Sequence, residues 1–321
     1  MSRPLRLRRS ELSTPGTSEK MLTKAAASDA DLVFCDLEDA VAPNHKTGAR
    51  ATITQALRDL DWGDKTVAVR VNGVHTEWCH DDVIEVVTDG GPRLDVLIVP
   101  KVKAPRDVWF IESLLDQLEA KLGLATRIGI EVLIEETEAL ARVEEIAACS
   151  PRLEALILGV GDLSASQGIR VGHIGEVADR YPGDMWHYAR NRMIVAARAN
   201  GLDAVDGPYA NFGDPDGYRR EAGWATTLGC VGKWAIHPSQ IALANDVFAP
   251  TAKEVERARE AVDAVRTAER EGQGAATLGG MMIDAATARI FQGVVERADL
   301  IARRTRREAD DDAETELRSS P

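Results

Sequence analysis

The sequence has no long apolar run: nowhere does it approach the roughly 20 residues that a membrane-spanning helix requires. Its basic beginning, "MSRPLRLRRSEL", lacks the apolar stretch of about 7 to 15 residues that marks a secretory signal. Cysteine is scarce as well. The four cysteines, Cys35, Cys79, Cys149 and Cys230, stand far apart, with no CxxC pair and no histidine at zinc-ligand spacing, which argues against a zinc site and fits a reducing, cytoplasmic setting. Positive charge is in deficit. The 39 Lys and Arg against 52 Asp and Glu give a net charge of −13, which repels a phosphate backbone and argues against nucleic acid as the main partner, while a local anion site stays allowed. No GxGxxG follows any early strand-like run, so a dinucleotide-binding open sheet loses its usual support.

What is present is a repeating alternation. Short β-rich apolar runs occur at 10–14, 32–37, 66–71, 94–100, 127–134, 153–160, 202–207 and 230–236, with amphipathic helical stretches such as "RDVWFIESLLDQLEAKL" and "ETEALARVEEIAAC" between them. Eight such units over about 250 residues predict an α/β protein of the closed (β/α)8 TIM-barrel class. The barrel is expected over residues 1–249. Thr251 and Glu254 then have the spacing of a capping box, opening a helix to about residue 269. The glycine-rich "EGQGAATLGG" reads as a flexible connection before a last helical stretch, so 250–305 is expected to be a helical lid segment. Residues 306–321, a charge run with little to bury, are expected to be a disordered acidic tail.

Nearly every predicted strand runs into a polar residue: Glu38 and Asp39, Arg70 and Asn72, Lys101, Glu135, Asp162, Asp206 and His237. In a parallel barrel these ends share the rim on which active sites are built. Glu135 and Asp162, from neighbouring strands, make a hard oxygen site suited to Mg²⁺ and, lacking His or Cys, unsuited to zinc. Gly159 and Gly161 flank the turn before Asp162 and let a substrate carboxylate approach the backbone amides. Arg70 offers a permanently charged fork to an oxygen that becomes negative during reaction. A metal and an arginine around a small oxygen-rich ligand suggest enolate chemistry, with carbon–carbon bond formation or cleavage beside a carbonyl. Lys46 and Arg50 are expected to pair with acidic neighbours rather than touch phosphate, and Trp186 to be a core or interface residue.

The segments "STPGTSEKMLTKA", "CDLEDAVAPNHKTGAR", "VAVRVNG", "LIVPKV", "EVLIEETEAL", "LILGVGDLSAS", "VDGPYANFGD", "GCVGKWAIHPSQI" and "GGMMIDAATAR" together resemble the citrate lyase β-subunit-like, or HpcH/HpaI aldolase, superfamily over residues 10–305. "DMWHYARNRM", "VDGPYANFGD" and "KWAIHPSQ" resemble its L-malyl-CoA/β-methylmalyl-CoA lyase branch. The resemblance implies a TIM barrel with a C-terminal lid, assembled as a trimer or hexamer, that cleaves malyl-CoA to acetyl-CoA and glyoxylate with Mg²⁺ or Mn²⁺. By position it implies Glu135 and Asp162 as metal ligands and, with Gly161, as substrate contacts. It also implies that Arg70 stabilises the enolate and that Asp284 is a lid acid/base reaching a neighbouring subunit. For coenzyme A it implies Ser13, Thr14, Lys24, Ile236 and His237. One departure is Ser18, where many relatives carry Arg. The glycine-rich connector at 270–280 would supply the hinge for lid closure. A malyl-CoA thioesterase, a citramalyl-CoA lyase and a non-catalytic CoA-ester-binding subunit stand as alternatives. Retention of Arg70, Glu135, Asp162 and Asp284 together argues against the last, because binding alone requires no base.

Overall fold

A computed structural model describes residues 3–170, 181 and 183–319 of the chain, with side chains as far as Arg306. The chain divides into two compact units, Met1–Phe248 and Ala249–Pro321.

In the first unit, eight strands follow one another as β1 (Ser10–Pro15), β2 (Leu32–Asp36), β3 (Thr66–Arg70), β4 (Val96–Val99), β5 (Gly129–Ile134), β6 (Leu153–Leu158), β7 (Asp203–Asp206) and β8 (Gly232–Ala235). Each pairs in parallel with the next, and β8 returns to β1 through Ser10↔Lys233 and Leu12↔Ala235, which closes the barrel. The eight runs expected from the sequence are these eight strands. Between and after them lie α1 (Glu19–Ala26), α2 (Lys46–Asp59), α3 (Cys79–Gly90), α4 (Pro105–Leu122), α5 (Thr137–Ala141), α6 (Val143–Ala148), α7 (Val160–Gln167), α8 (His187–Ala199), α9 (Pro215–Leu228) and α10 (Ile241–Val247).

Both faces of the strands are buried, which is why they read as near-continuous apolar runs. One face builds the layer against the helices, where Val33, Cys35, Val67, Val69, Leu97, Val99 and Leu156 join the large apolar cluster. The other fills the barrel with Leu32, Phe34, Ala68, Val96, Ile98, Leu133, Ala155, Ile157, Val205 and Trp234. Strand periodicity of two then fixes what stands at the top of each interior stripe. Leu32 and Phe34 lead to Asp36, Ala68 to Arg70, and Leu133 to Glu135. Near the start of the strands the interior is polar: Arg8 donates to Glu131 at 2.7 Å and Trp234 Nε1 to Glu11 at 2.8 Å. Burial pushes the Glu11 and Glu131 carboxyls up.

The second unit opens with α11 (Ala252–Arg270), capped as its sequence predicts: Glu254 N–H donates to Thr251 Oγ1 and Thr251 N–H to Glu254 Oε2. The glycine-rich stretch after it is not a plain loop. Strands β9 (Ala275–Leu278) and β10 (Met281–Asp284) form an antiparallel hairpin, with Met281 opposite Leu278. Gly279 and Gly280 supply its turn with φ of 59° and 77°, the left-handed pair a two-residue hairpin loop demands. The expected flexible connector is thus ordered by its own ladder. Helix α12 (Ala285–Ser319) continues through the stretch 306–321, which composition assigned to a disordered tail, as far as Ser319. The Arg, Glu and Ala of this run favour a helix, which offsets the poorer propensity of its three aspartates. Among the described residues no helix is long and apolar enough to cross a membrane.

Candidate active site

Asp36 and Arg70 stand at the same register of adjacent strands β2 and β3. Arg70 donates to both Asp36 oxygens, at 2.7 and 2.6 Å, and its Nη1 lies 3.3 Å from Glu38. Beneath the guanidinium lie the rings of Phe34 and Trp234, at 5.8 and 5.3 Å from their centroids. Burial alone would lower the pKa of this arginine, but Asp36 outweighs it and holds the group charged. The fork is therefore fixed in direction, with Nη1 left as its least committed donor.

Lys101 follows β4 with a φ of +52°, the one positive value of a non-glycine residue among those described. Its N–H donates to Glu135 Oε1 at 2.7 Å. Its ammonium group contacts Glu38, lies 3.1 Å from Asp39 and stands 3.9 Å from Asp162. Asp162 sits in the first turn of α7, where backbone N–H groups have no intrahelical acceptor and favour negative charge. Glu135 is buried beside it, and desolvation together with the Asp162 charge raises its pKa to about 8. Two carboxylates converge here with too little positive charge between them, one buried and one 39% exposed by its side chain. That pair fits Mg²⁺, which takes one or two protein carboxylates and keeps its other positions for water and substrate. Among the described residues no group of three His, Cys, Asp or Glu forms a metal cage.

Gly159 has its own reason to be glycine. A Cβ built there would collide with the Glu135 Cβ and lie 2.6 Å from Glu135 Oε2. Its N–H is spent on the Ile134 carbonyl, so of the two glycines only Gly161 keeps an amide in the open first turn of α7. Lys46 and Asn72 fasten the segment after β2. Lys46 Nζ donates to the Leu37 and Glu38 carbonyls at 2.9 and 3.0 Å, and Asn72 Nδ2 to Leu37 O at 3.1 Å. Arg50 pairs with Asp82 at 2.6 Å, as expected; Lys46, expected to do the same, binds carbonyls instead.

Other rim residues stand elsewhere. Val205 fills the barrel, so Asp206 faces the helix layer, where Lys233 at 2.7 Å and Arg190 at 3.0 Å pair it completely. The expectation that Asp206 joins the rim ring is corrected by that alternation. Ser13 shares the interior face with Glu11, while Thr14 shares the face of Leu12 and is buried. Lys24 is exposed in the last turn of α1. Ile236 and His237 are exposed after β8, and His237 stacks on Phe212 at 4.8 Å. Trp186 is buried, as a core residue should be. Asp284 lies in the second unit, where its Oδ1 accepts from the N–H groups of Ala286 and Thr287 at 3.1 and 3.0 Å, the bonds of a helix cap. Those with Thr287 hold its carboxyl below the usual range.

Comparison with known proteins places these features in a family. The model of the HpcH/HpaI aldolase/citrate lyase family matches residues 9–238. An L-malyl-CoA/β-methylmalyl-CoA lyase of Rhodobacter capsulatus is 42% identical over 92% of this chain and 96% of its own length. A (3S)-malyl-CoA thioesterase of Cereibacter sphaeroides is 36% identical over 86% of this chain and 89% of its own. Among solved structures, the CitE protein of Mycobacterium tuberculosis in complex with magnesium, acetoacetate and coenzyme A superposes with a TM-score of 0.69 at 27% identity, covering 90% of this chain and 97% of that one. With a match across the barrel and relatives aligned along nearly the whole length, this chain belongs to the HpcH/HpaI aldolase/citrate lyase family.

Proposed function

We propose that the chain is a carbon–carbon lyase that cleaves L-malyl-CoA, or its β-methyl homologue, reversibly to acetyl-CoA or propionyl-CoA and glyoxylate. The observation that carries this reading is the Glu135–Asp162 pair beside an arginine whose fork is locked by Asp36. Its support from kinship is the 42% identity to a lyase of that activity. Glu135 and Asp162 would hold Mg²⁺, with Mn²⁺ as a substitute, and that ion when bound supplies Lewis-acid polarisation of the glyoxylate oxygens. In the cleavage direction the substrate hydroxyl gives its proton to the Asp284 carboxylate, the carbon–carbon bond breaks as the glyoxylate carbonyl forms, and its electron pair passes to the thioester as an enolate. Arg70 Nη1 faces the developing enolate oxygen, and the burial of the guanidinium makes that charge more effective than in water. Asp284, from the second unit of a neighbouring subunit in a trimer or hexamer, delivers the proton to the enolate carbon. Ser13, Thr14, Lys24, Ile236 and His237 contact coenzyme A, and Gly161 contacts the glyoxylate carboxylate. The protein works in the cytoplasm.

The purified protein, given Mg²⁺ and L-malyl-CoA, should release glyoxylate, trapped as its hydrazone, without free thiol. Free thiol with malate and no glyoxylate would mean that the same pocket delivers water to the thioester, the activity for which the 36% identical relative is named.

A further inference from the structure

Four carboxylates, Glu38, Asp39, Glu135 and Asp162, meet at Lys101, yet only two of them are free to face a cation. The difference lies in how each is engaged. Glu38 is held from one side by the Lys101 ammonium and from the other by Arg70 Nη1 at 3.3 Å. Asp39 takes the same ammonium at 3.1 Å. Glu135 instead takes the Lys101 backbone N–H, which leaves its Oε2 clear of that bond, and Asp162 is only brushed by the ammonium at 3.9 Å. With its left-handed backbone, Lys101 aims its amide at Glu135 and its side chain at Glu38. For a side chain with a Cβ that conformation is disfavoured and is kept only where the surroundings enforce it.

We propose that Lys101 is a positioning residue that sets the ligand number of the cation site, holding Glu38 and Asp39 away so that Glu135 and Asp162 alone bind the ion. This rests on the reading of those two as metal ligands. A two-carboxylate site leaves coordination positions for substrate oxygens and suits Mg²⁺. A site with three or four carboxylates would saturate the ion and favour Ca²⁺, which takes six to eight oxygens in flexible geometry. Lys101 thus trades cation affinity for open positions, and selects the smaller ion.

Lys101→Asn tests this, because asparagine tolerates the left-handed backbone and keeps the amide to Glu135 while removing the ammonium. Mn²⁺ binding measured by electron paramagnetic resonance, with Mg²⁺ and Ca²⁺ as competitors, should show Mn²⁺ bound about tenfold or more tightly than by the wild type. The preference for Mg²⁺ over Ca²⁺ should fall in the same variant. Adding Glu38→Gln to Lys101→Asn should return both quantities toward wild type, a reversal that general loosening of the site would not produce. Unchanged or weaker Mn²⁺ binding by folded Lys101→Asn, with wild-type binding intact, overturns the proposal alone. If Lys101→Asn does not fold, Lys101→Met carries the same expectation. Failure of the wild type itself to bind Mn²⁺ overturns the metal reading, and this inference with it.

Discussion

Arg70 and Asp36 meet through two parallel hydrogen bonds of 2.7 and 2.6 Å at matched positions of β2 and β3, so the barrel register itself aims the guanidinium. Asp36→Asn should therefore harm both stability and chemistry. Breaking a buried pair by removing one charge costs about 3 to 5 kcal/mol, and a misdirected fork should lower kcat by about 10²-fold at a temperature where the variant is folded. Thermal unfolding and steady-state kinetics measure the two separately. Wild-type kcat in Asp36→Asn would show that Arg70 needs no partner to act.

Cation binding should release a proton. With its pKa raised to about 8, Glu135 is mostly protonated at pH 7 in the metal-free protein, and it must lose that proton to bind a cation. Calorimetric titration with Mg²⁺ at pH 7 in buffers of different ionisation enthalpy should show release approaching one proton, about 0.9, per ion, falling toward zero above about pH 9. The sign follows from the raised value: apparent affinity rises with pH up to the Glu135 pKa and levels off beyond it. Affinity independent of pH between 6 and 8 would contradict the burial of an uncompensated carboxyl there.

Gly159→Ala should be costly although φ there is negative, at −92°. The new methyl would lie 2.4 Å from the Glu135 Cβ and 2.6 Å from its Oε2, so the ligand side chain must shift. Overpacking of this kind costs about 1 to 3 kcal/mol, and a displaced ligand should weaken Mg²⁺ binding by about tenfold or more. Fluorescence-monitored unfolding and metal titration report the two effects. Wild-type Mg²⁺ affinity in Gly159→Ala would show that Glu135 is not held by its neighbour.

Asp206→Asn separates scaffold from site. Asp206 is paired with both Lys233 and Arg190 in the helix layer, so the variant should lose about 3 to 5 kcal/mol of stability. Mg²⁺ affinity should stay within about twofold of wild type, since independent sites rarely couple. A large change in Mg²⁺ affinity would restore Asp206 to the rim.

These cases also show what a sequence can and cannot disclose. The eight strands were legible because burial on both faces leaves them apolar throughout, and Glu135 and Asp162 were legible because acids at the ends of such strands stand out. Asp206 looked the same on that basis, and only alternation from the interior Val205 turns it outward. Nothing inside "CDLEDAV" marks Asp36, because its role comes from register with Arg70 on another strand. Counting by two from Phe34, which fills the barrel, leads to it. Lys101 stood in plain view, but its left-handed backbone and three-way contact exist only once β2, β5 and β6 are assembled beside it. The hairpin after α11 was hidden by its glycines, which read as a break until their paired left-handed turn is seen.

The cap bonds of Asp284 to Ala286 and Thr287 give it a structural job as well as the proposed chemical one. Asp284→Asn keeps a capping side chain, so it should cost at most about 1 kcal/mol in stability. It should nevertheless suppress exchange of the methyl protons of acetyl-CoA with deuterated water, followed by NMR, by at least about 10²-fold. If the aspartate serves a neighbouring subunit, Asp284→Asn and Glu135→Gln are inactive for different reasons and complement each other. Co-expressed in equal amounts, the two variants should recover about a quarter of wild-type activity, because a random ring supplies both intact residues to about one site in four. No recovery in verified mixed oligomers would place Asp284 in the site of its own chain, and undiminished proton exchange in Asp284→Asn would leave it with the cap alone.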